Sequence, residues 1–235
     1  MAALLTAYLC DCALAPLHGT GYQSHEPSSE CFAALIVLMM PASISYPIVI
    51  AAVIVAVLVK EAFGGEGHYP FHPAAVGVVV AGISWPKNVF SYPVPGTQLP
   101  LFGEVNTTLV EGMNATLRDG GLPSASTMNL LTGNVSAAVG TSAALVLMAC
   151  GLFLLVRGRI SPLVVIPFFV FVIGLPWLFP NLNELPTFSL PWEYIRQRVY
   201  LEKYIVLSGT ALFGGLFMIC EPVTMPDRPM SRIVY

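Results

Sequence analysis

The stretch Val135 to Val156, VSAAVGTSAALVLMACGLFLLV, is followed after only Arg157, Gly158 and Arg159 by Ile160 to Phe179, ISPLVVIPFFVFVIGLPWLF. Neither stretch holds a charged residue. A helix needs about 20 apolar residues to cross a bilayer, so the two read as antiparallel spans joined by a tight basic turn. Pro162, Pro167 and Pro176 lie inside the second. Working outward, Tyr204 to Cys220 is shorter and rich in small residues, Ser208, Gly209, Gly214 and Gly215, which let helix backbones approach closely in lipid. Upstream, Cys31 to Met40 and Pro47 to Val59 are apolar pieces separated by residues 41–46, and together they read as one interrupted crossing. Ala74 to Trp85, flanked by Pro73 and Pro86, is too short to span unaided. Met1 to Leu17 lacks a basic n-region and is interrupted by Asp11, so it reads as a membrane helix rather than a cleaved signal peptide. The expected class is an all-α, polytopic integral membrane protein with interrupted helices and half-helices.

Composition agrees. Of 235 residues, 56% are hydrophobic and 10% charged, with mean hydropathy +0.76. A soluble domain carries about 25% charged residues, so an ordinary soluble enzyme and a disordered chain are excluded. The net charge of −3 gives no basic face for nucleic acid. Five cysteines, an odd number lying mostly in apolar runs, do not suggest a disulfide framework. The organisation expected is a single membrane domain over residues 1–235. It divides into broken N-terminal helices (1–85), an extracytoplasmic loop (86–134), a helical hairpin plus a further helix (135–220) and a C-terminal segment (221–235). The short Arg157–Arg159 turn reads as cytoplasmic, which puts the loop from Lys87 to Asn134 outside and Lys60 inside. The polar stretch Asn181 to Lys203, with Trp192, Tyr194 and Tyr200, suits an interfacial helix on the outer side.

Three motifs stand out. Gly64-Gly65-Glu66-Gly67-His68-Tyr69-Pro70-Phe71-His72-Pro73-Ala74 leads into the short apolar segment. It reads either as a re-entrant turn or as a helix entrance whose amides hold an anion. His68 and His72 lack a carboxylate or cysteine partner set, so no metal site is expected. Leu122-Pro123-Ser124-Ala125-Ser126-Thr127-Met128-Asn129 reads by default as a loop or helix-cap region. Phe217-Met218-Ile219-Cys220-Glu221-Pro222-Val223-Thr224-Met225-Pro226 reads as a helix terminus. Asp11 and Glu221 are the acidic groups in or beside apolar segments, where ionisable residues are functional candidates. Asn106, Asn114 and Asn134 begin Asn-x-Ser/Thr sequons.

Together and in this order, the motifs resemble one membrane-protein family. It is shared by the D component of the Rnf electron-transport complex and the B component of the sodium-pumping NADH:quinone reductase. That family shows a Gly-Gly-x-Gly-x-Asn-Pro-Phe-Asn-Pro-Ala stretch, whose frame GGEGHYPFHPA keeps, with Tyr69 and His72 where asparagines are usual. Its Ser/Thr-Gly-Ala-Thr motif corresponds to Ser124-Ala125-Ser126-Thr127. The following Gly-Asn and Glu-Thr-Ser-Ala correspond to Gly133-Asn134 and Gly140-Thr141-Ser142-Ala143. Its Gly-Gly-Leu-Phe helix ending in Asp-Pro-Val-Thr-Ser-Pro corresponds to Gly214-Gly215-Leu216-Phe217 and Glu221 to Pro226. The compact spacing after Thr127 is closer to the Rnf component. The likeness runs from about Ser28 to Tyr235, and the family pattern carries more helix at both ends, so the chain reads as a fragment, a split gene or a shortened divergent member.

The resemblance implies FMN joined to Thr127 through a phosphoester, with Ser124 and Ser126 beside it. It further implies structural, ion or flavin contacts at Gly64, Gly65, Pro70, Phe71, Pro73, Glu221 and Thr224, and riboflavin as a second flavin. It implies a component of an ion-translocating electron-transport complex in the inner (plasma) membrane. The other components of that complex, a flavin transferase and membrane lipid would be its partners, and no residue would act as a catalytic group. A channel or transporter with a half-helix site and a redox-inactive scaffold are the competing readings.

Overall fold

The computed structural model describes residues 1–15, 28–65, 67–97, 100, 107–183, 190, 192–226 and 228–234. Glu66 and the sequon residue Asn106 lie outside the described residues. The chain is mostly helical and forms two compact units. The first comprises Met1–Ser91 with Ala138–Gly140, and the second Tyr92–Ala137 with Thr141–Tyr235.

In the first unit α1 (Ala2–Leu14), α2 (Ser28–Met39) and α4 (Pro73–Ser84) pack around α3 (Tyr46–Ala62). Pro47 sits in the first turn of α3, where its missing N–H is harmless. Ile48, Val49, Ala52, Val53, Ala56, Val57 and Lys60 are buried along α3 at three- and four-residue steps, the period of one broad helical face. α4 approaches closely because Gly77 faces the Ala52 carbonyl, where an added Cβ would stand 2.5 Å away. A short helix α5 (Pro86–Val89) follows.

Residues 135–143 depart from expectation. Val135 to Val156 reads as one long helix, yet α8 runs only from Ala144 to Val156. Part of the missing portion serves as a strap. The Gly140 N–H donates to the Leu38 carbonyl at 2.7 Å and the Val139 N–H to that of Met40 at 3.2 Å. These carbonyls belong to the C-terminal end of α2, where no intrahelical donor remains. Ala138 and Thr141 are buried there and Val139 is exposed, and two backbone N–H groups of the stretch are spent on capping a neighbour. Gly140 permits this because a Cβ would lie 2.7 Å from that of Leu38.

In the second unit a two-stranded ribbon, β1 (Ser91–Pro93) with β2 (Leu109–Glu111), leads to the short helices α6 (Met113–Arg118) and α7 (Thr127–Thr132). This ribbon is a small departure from an all-α chain. α8 and α9 (Pro162–Leu178) are joined by a short turn through Arg157, Gly158 and Arg159, with Gly158 at φ 66°. α10 (Ile195–Leu207) occupies much of what reads as a polar stretch. It breaks at Gly209, continues as α11 (Thr210–Phe213), and ends in a π-helical turn over Gly214–Met218. Gly151 and Gly215 let this last segment pack against α8 and α9, since side chains there would meet Leu216 and Phe168.

Among the described residues no single helix is both long and apolar enough to cross a membrane. One pair, Ile195–Leu207 with Thr210–Met218, qualifies by length and composition across a 53° bend. Large apolar side chains point outward along α8 and α9, including Phe153, Val156, Val170 and Phe171.

Gly209 is the point where the bend is least replaceable. Its φ is +80°, and an added Cβ would collide with the Thr141 carbonyl. Gly209→Ala is expected to destabilise the fold by about 2 kcal/mol or more. Gly174, within α9 and with open space at its Cβ position, is the control. Gly174→Ala should gain about 0.5–1 kcal/mol. Thermal unfolding of the purified chain in detergent separates the two, and equal midpoints would refute the assignment of the break to Gly209.

Candidate functional site

The Ser124–Thr127 tetrad lies between α6 and α7 in the second unit. Ser126 is the N-cap of α7, with the extended backbone such a position requires (φ −70°, ψ 152°), and its Oγ accepts from the Asn129 N–H at 3.2 Å. Thr127 is the first helical residue. Ser124, Ser126 and Thr127 are all exposed or partly so, while Leu130 of α7 is fully buried. Gly133, at φ 89°, closes α7, its N–H donating to the Asn129 carbonyl at 2.9 Å. The default reading as a cap region and the reading as an attachment loop thus describe the same geometry. Ser126 caps, and its neighbours present hydroxyls to the outside.

The segment is held from both ends. Upstream, Asn181 donates to the Arg118 carbonyl at 2.8 Å and Asn183 to that of Asp119 at 2.8 Å. The Asn183 N–H donates to the Gly120 carbonyl at 3.0 Å. Gly120 has φ +77°, and a Cβ there would meet the Asn183 side chain at 2.6 Å. The exposed Arg118–Asp119 ion pair adds little, as surface pairs do. At the tetrad itself the Tyr204 hydroxyl, from α10, donates to the Ala125 carbonyl at 3.0 Å. Lys203 lies over the Tyr204 ring, 4.2 Å from its centroid, and 4.9 Å from that of Tyr200. A cation therefore stands one side chain away from the tetrad.

α10 can carry that anchor because Arg198 fixes it. Arg198 is fully buried, and its guanidinium donates to the carbonyls of Trp177, Leu190 and Glu193. Trp177 is in the last turn of α9, so Arg198 serves a helix end that has run out of donors. Asn114 of α6 adds a bond to the Thr210 hydroxyl of α11 at 3.1 Å. Both carboxylate oxygens of Glu202 are buried without a hydrogen-bond partner among the described residues.

The other expected site residues fall elsewhere. Gly64, Gly65, Pro70, Phe71 and Pro73 belong to the first unit. Gly64 (φ 108°) and Gly65 (φ 83°) turn the chain out of α3, with the Gly65 N–H on the Lys60 carbonyl at 3.0 Å. Phe71 is exposed and meets Phe63 edge to face. Pro70 precedes it, also exposed. Pro73 is buried in the first turn of α4. Tyr69 and His72 are buried against Phe32, with ring centroids 5.6 and 5.4 Å away. Glu221 and Thr224 share a turn after the π segment, where the Thr224 hydroxyl donates to the Glu221 carbonyl at 3.4 Å. The positions the resemblance implies thus fall into three separate places: the Ser124–Thr127 loop, the connection from α3 into α4, and the turn at Glu221–Thr224. Sequence reading missed Asn181, Asn183, Arg198 and Tyr204, all of which lie in or just after the stretch that suits an interfacial helix. The one available signal was its density of Asn, Arg and Tyr in an otherwise apolar chain.

Known proteins share this sequence pattern. The profile of the NQR2, RnfD, RnfE family matches residues 1–235, and the chain belongs to that family. The match includes the N-terminal helix, beyond the span from Ser28 that the motifs alone define. Relatives include the D subunit of the ion-translocating oxidoreductase complex of Pectobacterium carotovorum, 23% identical over 80% of this chain and 59% of the relative. That of Klebsiella pneumoniae is 26% identical over 86% and 63%. The D subunit of the Na(+)-translocating ferredoxin:NAD(+) oxidoreductase complex of Acetobacterium woodii is 26% identical over 80% and 52%. The chain therefore spans between 52% and 63% of the length of these relatives.

The anchoring scheme has a direct test. Tyr204→Phe removes one hydrogen bond, worth about 0.5–1.5 kcal/mol, and Ser126→Ala removes a cap worth about 1 kcal/mol. Each should raise amide hydrogen exchange over residues 122–130 several-fold and leave α8 unchanged. Equal exchange in wild type and Tyr204→Phe would mean that α10 does not hold the loop.

Proposed function

We infer that this chain is a multi-pass membrane component of an Rnf-type, ion-translocating electron-transport complex, and that Thr127 carries FMN as a phosphoester. The observation that carries this reading is the exposed Thr127 hydroxyl at the first turn of α7, in the motif order of the family to which the chain belongs. The inner membrane as location follows from the same reading. The outward apolar side chains of α8 and α9, which would be unfavourable in water, support it.

The residues fit the group. A phosphoester needs a hydroxyl that a transferase can reach, and Thr127 is exposed at the start of a short helix. The ester keeps a negative charge, and Lys203 supplies a cation next to Tyr204. The bound flavin would supply one-electron chemistry, which the protein positions rather than performs. Tyr204 holds the backbone one residue before Ser126, Ser126 sets the helix start, and Leu130 seats α7 on the core. The attachment point is thereby fixed although its side chain is open. The remaining components of such a complex, a flavin transferase and lipid are the partners this reading requires.

Peptide mass spectrometry of the chain co-expressed with its transferase should find the Thr127 peptide heavier by one FMN less water. Thr127→Val should abolish in-gel flavin fluorescence, while Ser124→Ala retains it. An unmodified wild-type Thr127 peptide would end the covalent-flavin reading and bring forward a transporter.

A further inference from the structure

The first unit buries a second polar cluster, where α1 and α3 end and α2 begins. The Lys60 ammonium donates to Ser29 Oγ at 2.8 Å, and that hydroxyl donates to Asp11 Oδ1 at 2.9 Å. The same ammonium stands 3.8 Å from Asp11 Oδ1 and 3.5 Å from Glu61 Oε1. The side chains are 7% exposed for Lys60 and 12% for Asp11.

The geometry points to a proton relay in which Lys60, Ser29 and Asp11 form a step of this protein's ion-translocating path. The relay rests on the proposed function, which supplies the need for such a path. Its step balances without any co-reactant. An N–H bond of the Lys60 ammonium breaks and its proton passes to Ser29 Oγ. The original Ser29 hydroxyl proton moves to Asp11 Oδ1. Lys60 ends as an amine, Asp11 as a carboxylic acid, and no electrons are transferred. Glu61 Oε1 stands 3.5 Å from the same nitrogen and adds a negative charge beside it.

Burial and the helix ends act on this cluster in opposite directions. Burial disfavours the charged pair relative to the neutral one. Helix ends pull the other way. Lys60 lies in the last turn of α3, whose carbonyl end attracts a cation, and Ser29 lies in the first turn of α2, whose amide end attracts the anion on Asp11. The two proton arrangements differ in charge separation, which burial and the helix ends weight in opposite directions. An interposed hydroxyl that both accepts and donates provides the path between them. Among the described residues, Glu30 of α2 and Cys10 of α1 also act electrostatically on Asp11. α4 brings no titratable group over Pro73–Ser84.

The test is redox-driven charge movement by the assembled complex in sealed vesicles, measured across pH together with flavin content and electron transfer. Lys60→Arg keeps the positive charge but cannot release a proton. Ser29→Ala interrupts the chain and leaves both charges. Each is expected to lower charge moved per electron roughly tenfold or more and to flatten its pH profile, with flavin content unchanged. Ser29→Thr, which keeps the hydroxyl, should restore it. Wild-type charge movement and pH profile in Ser29→Ala would overturn the relay even if Lys60→Arg failed to assemble. A wild-type complex that transfers electrons but moves no charge would overturn the relay and the ion-translocating part of the proposed function, and leave its flavin part standing. One that does neither, and carries no flavin, would overturn the proposed function as well.

Discussion

Each break in these apolar helices frees backbone carbonyls that must be met by a donor, and how they are met organises both units. A buried carbonyl without a partner costs about 1–3 kcal/mol. In the first unit the end of α2 is met by the N–H groups of Val139 and Gly140, and the end of α3 by the N–H of Gly65. In the second unit Arg198 serves the end of α9, and Asn181 and Asn183 serve the end of α6. Polar residues are scarce in this chain, and several of them are placed where a helix stops.

The second recurring device is close approach. Gly77 against Ala52, Gly140 against Leu38, Gly151 against Leu216 and Gly215 against Phe168 are all contacts that a side chain would obstruct. Where apolar surroundings weaken the hydrophobic drive between helices, tight backbone packing is what remains to hold them together. Glycine thus contributes through shape at these positions. At Gly209 and Gly120 it contributes through a left-handed backbone as well.

Much of this was legible from residue order. The tight turn at Arg157–Arg159 and the prolines inside α9 follow from apolar runs and helix breakers, whereas Tyr204 to Cys220 reads as one segment and breaks at Gly209. Other features were not. Residues 135–143 carry the composition of a span, and composition cannot tell an irregular strap from a helix. Residues 195–203 suit an interfacial helix, but the burial of Arg198 was not legible, because it depends on carbonyls at Trp177, Leu190 and Glu193 that are distant in sequence or invisible in side-chain chemistry. The polar cluster of the first unit joins Asp11, Ser29 and Lys60 from three separate helices, and of these only Asp11 stands out in the sequence as a functional candidate. The tetrad was legible as a motif, but its anchoring by Tyr204 is a tertiary contact that no local pattern encodes.

Three hydroxyls share the tetrad, and their backbone settings differ in a way that bears on which suits a permanent attachment. Ser124 precedes the Ala125 carbonyl held by Tyr204, and it lies on irregular backbone. Ser126 Oγ is engaged as the cap of α7, so esterifying it would forfeit the bond that starts the helix. Thr127 stands on helical backbone, downstream of both anchors, with Leu130 of the same helix locked in the core. A β-branched side chain in a helix has few χ1 rotamers, so a group carried there inherits a defined direction with little further loss of freedom. For a carrier that hands electrons between fixed centres, a restricted direction matters more than a tight pocket. A covalent link at Thr127 would provide it from a loop that remains open to the transferase.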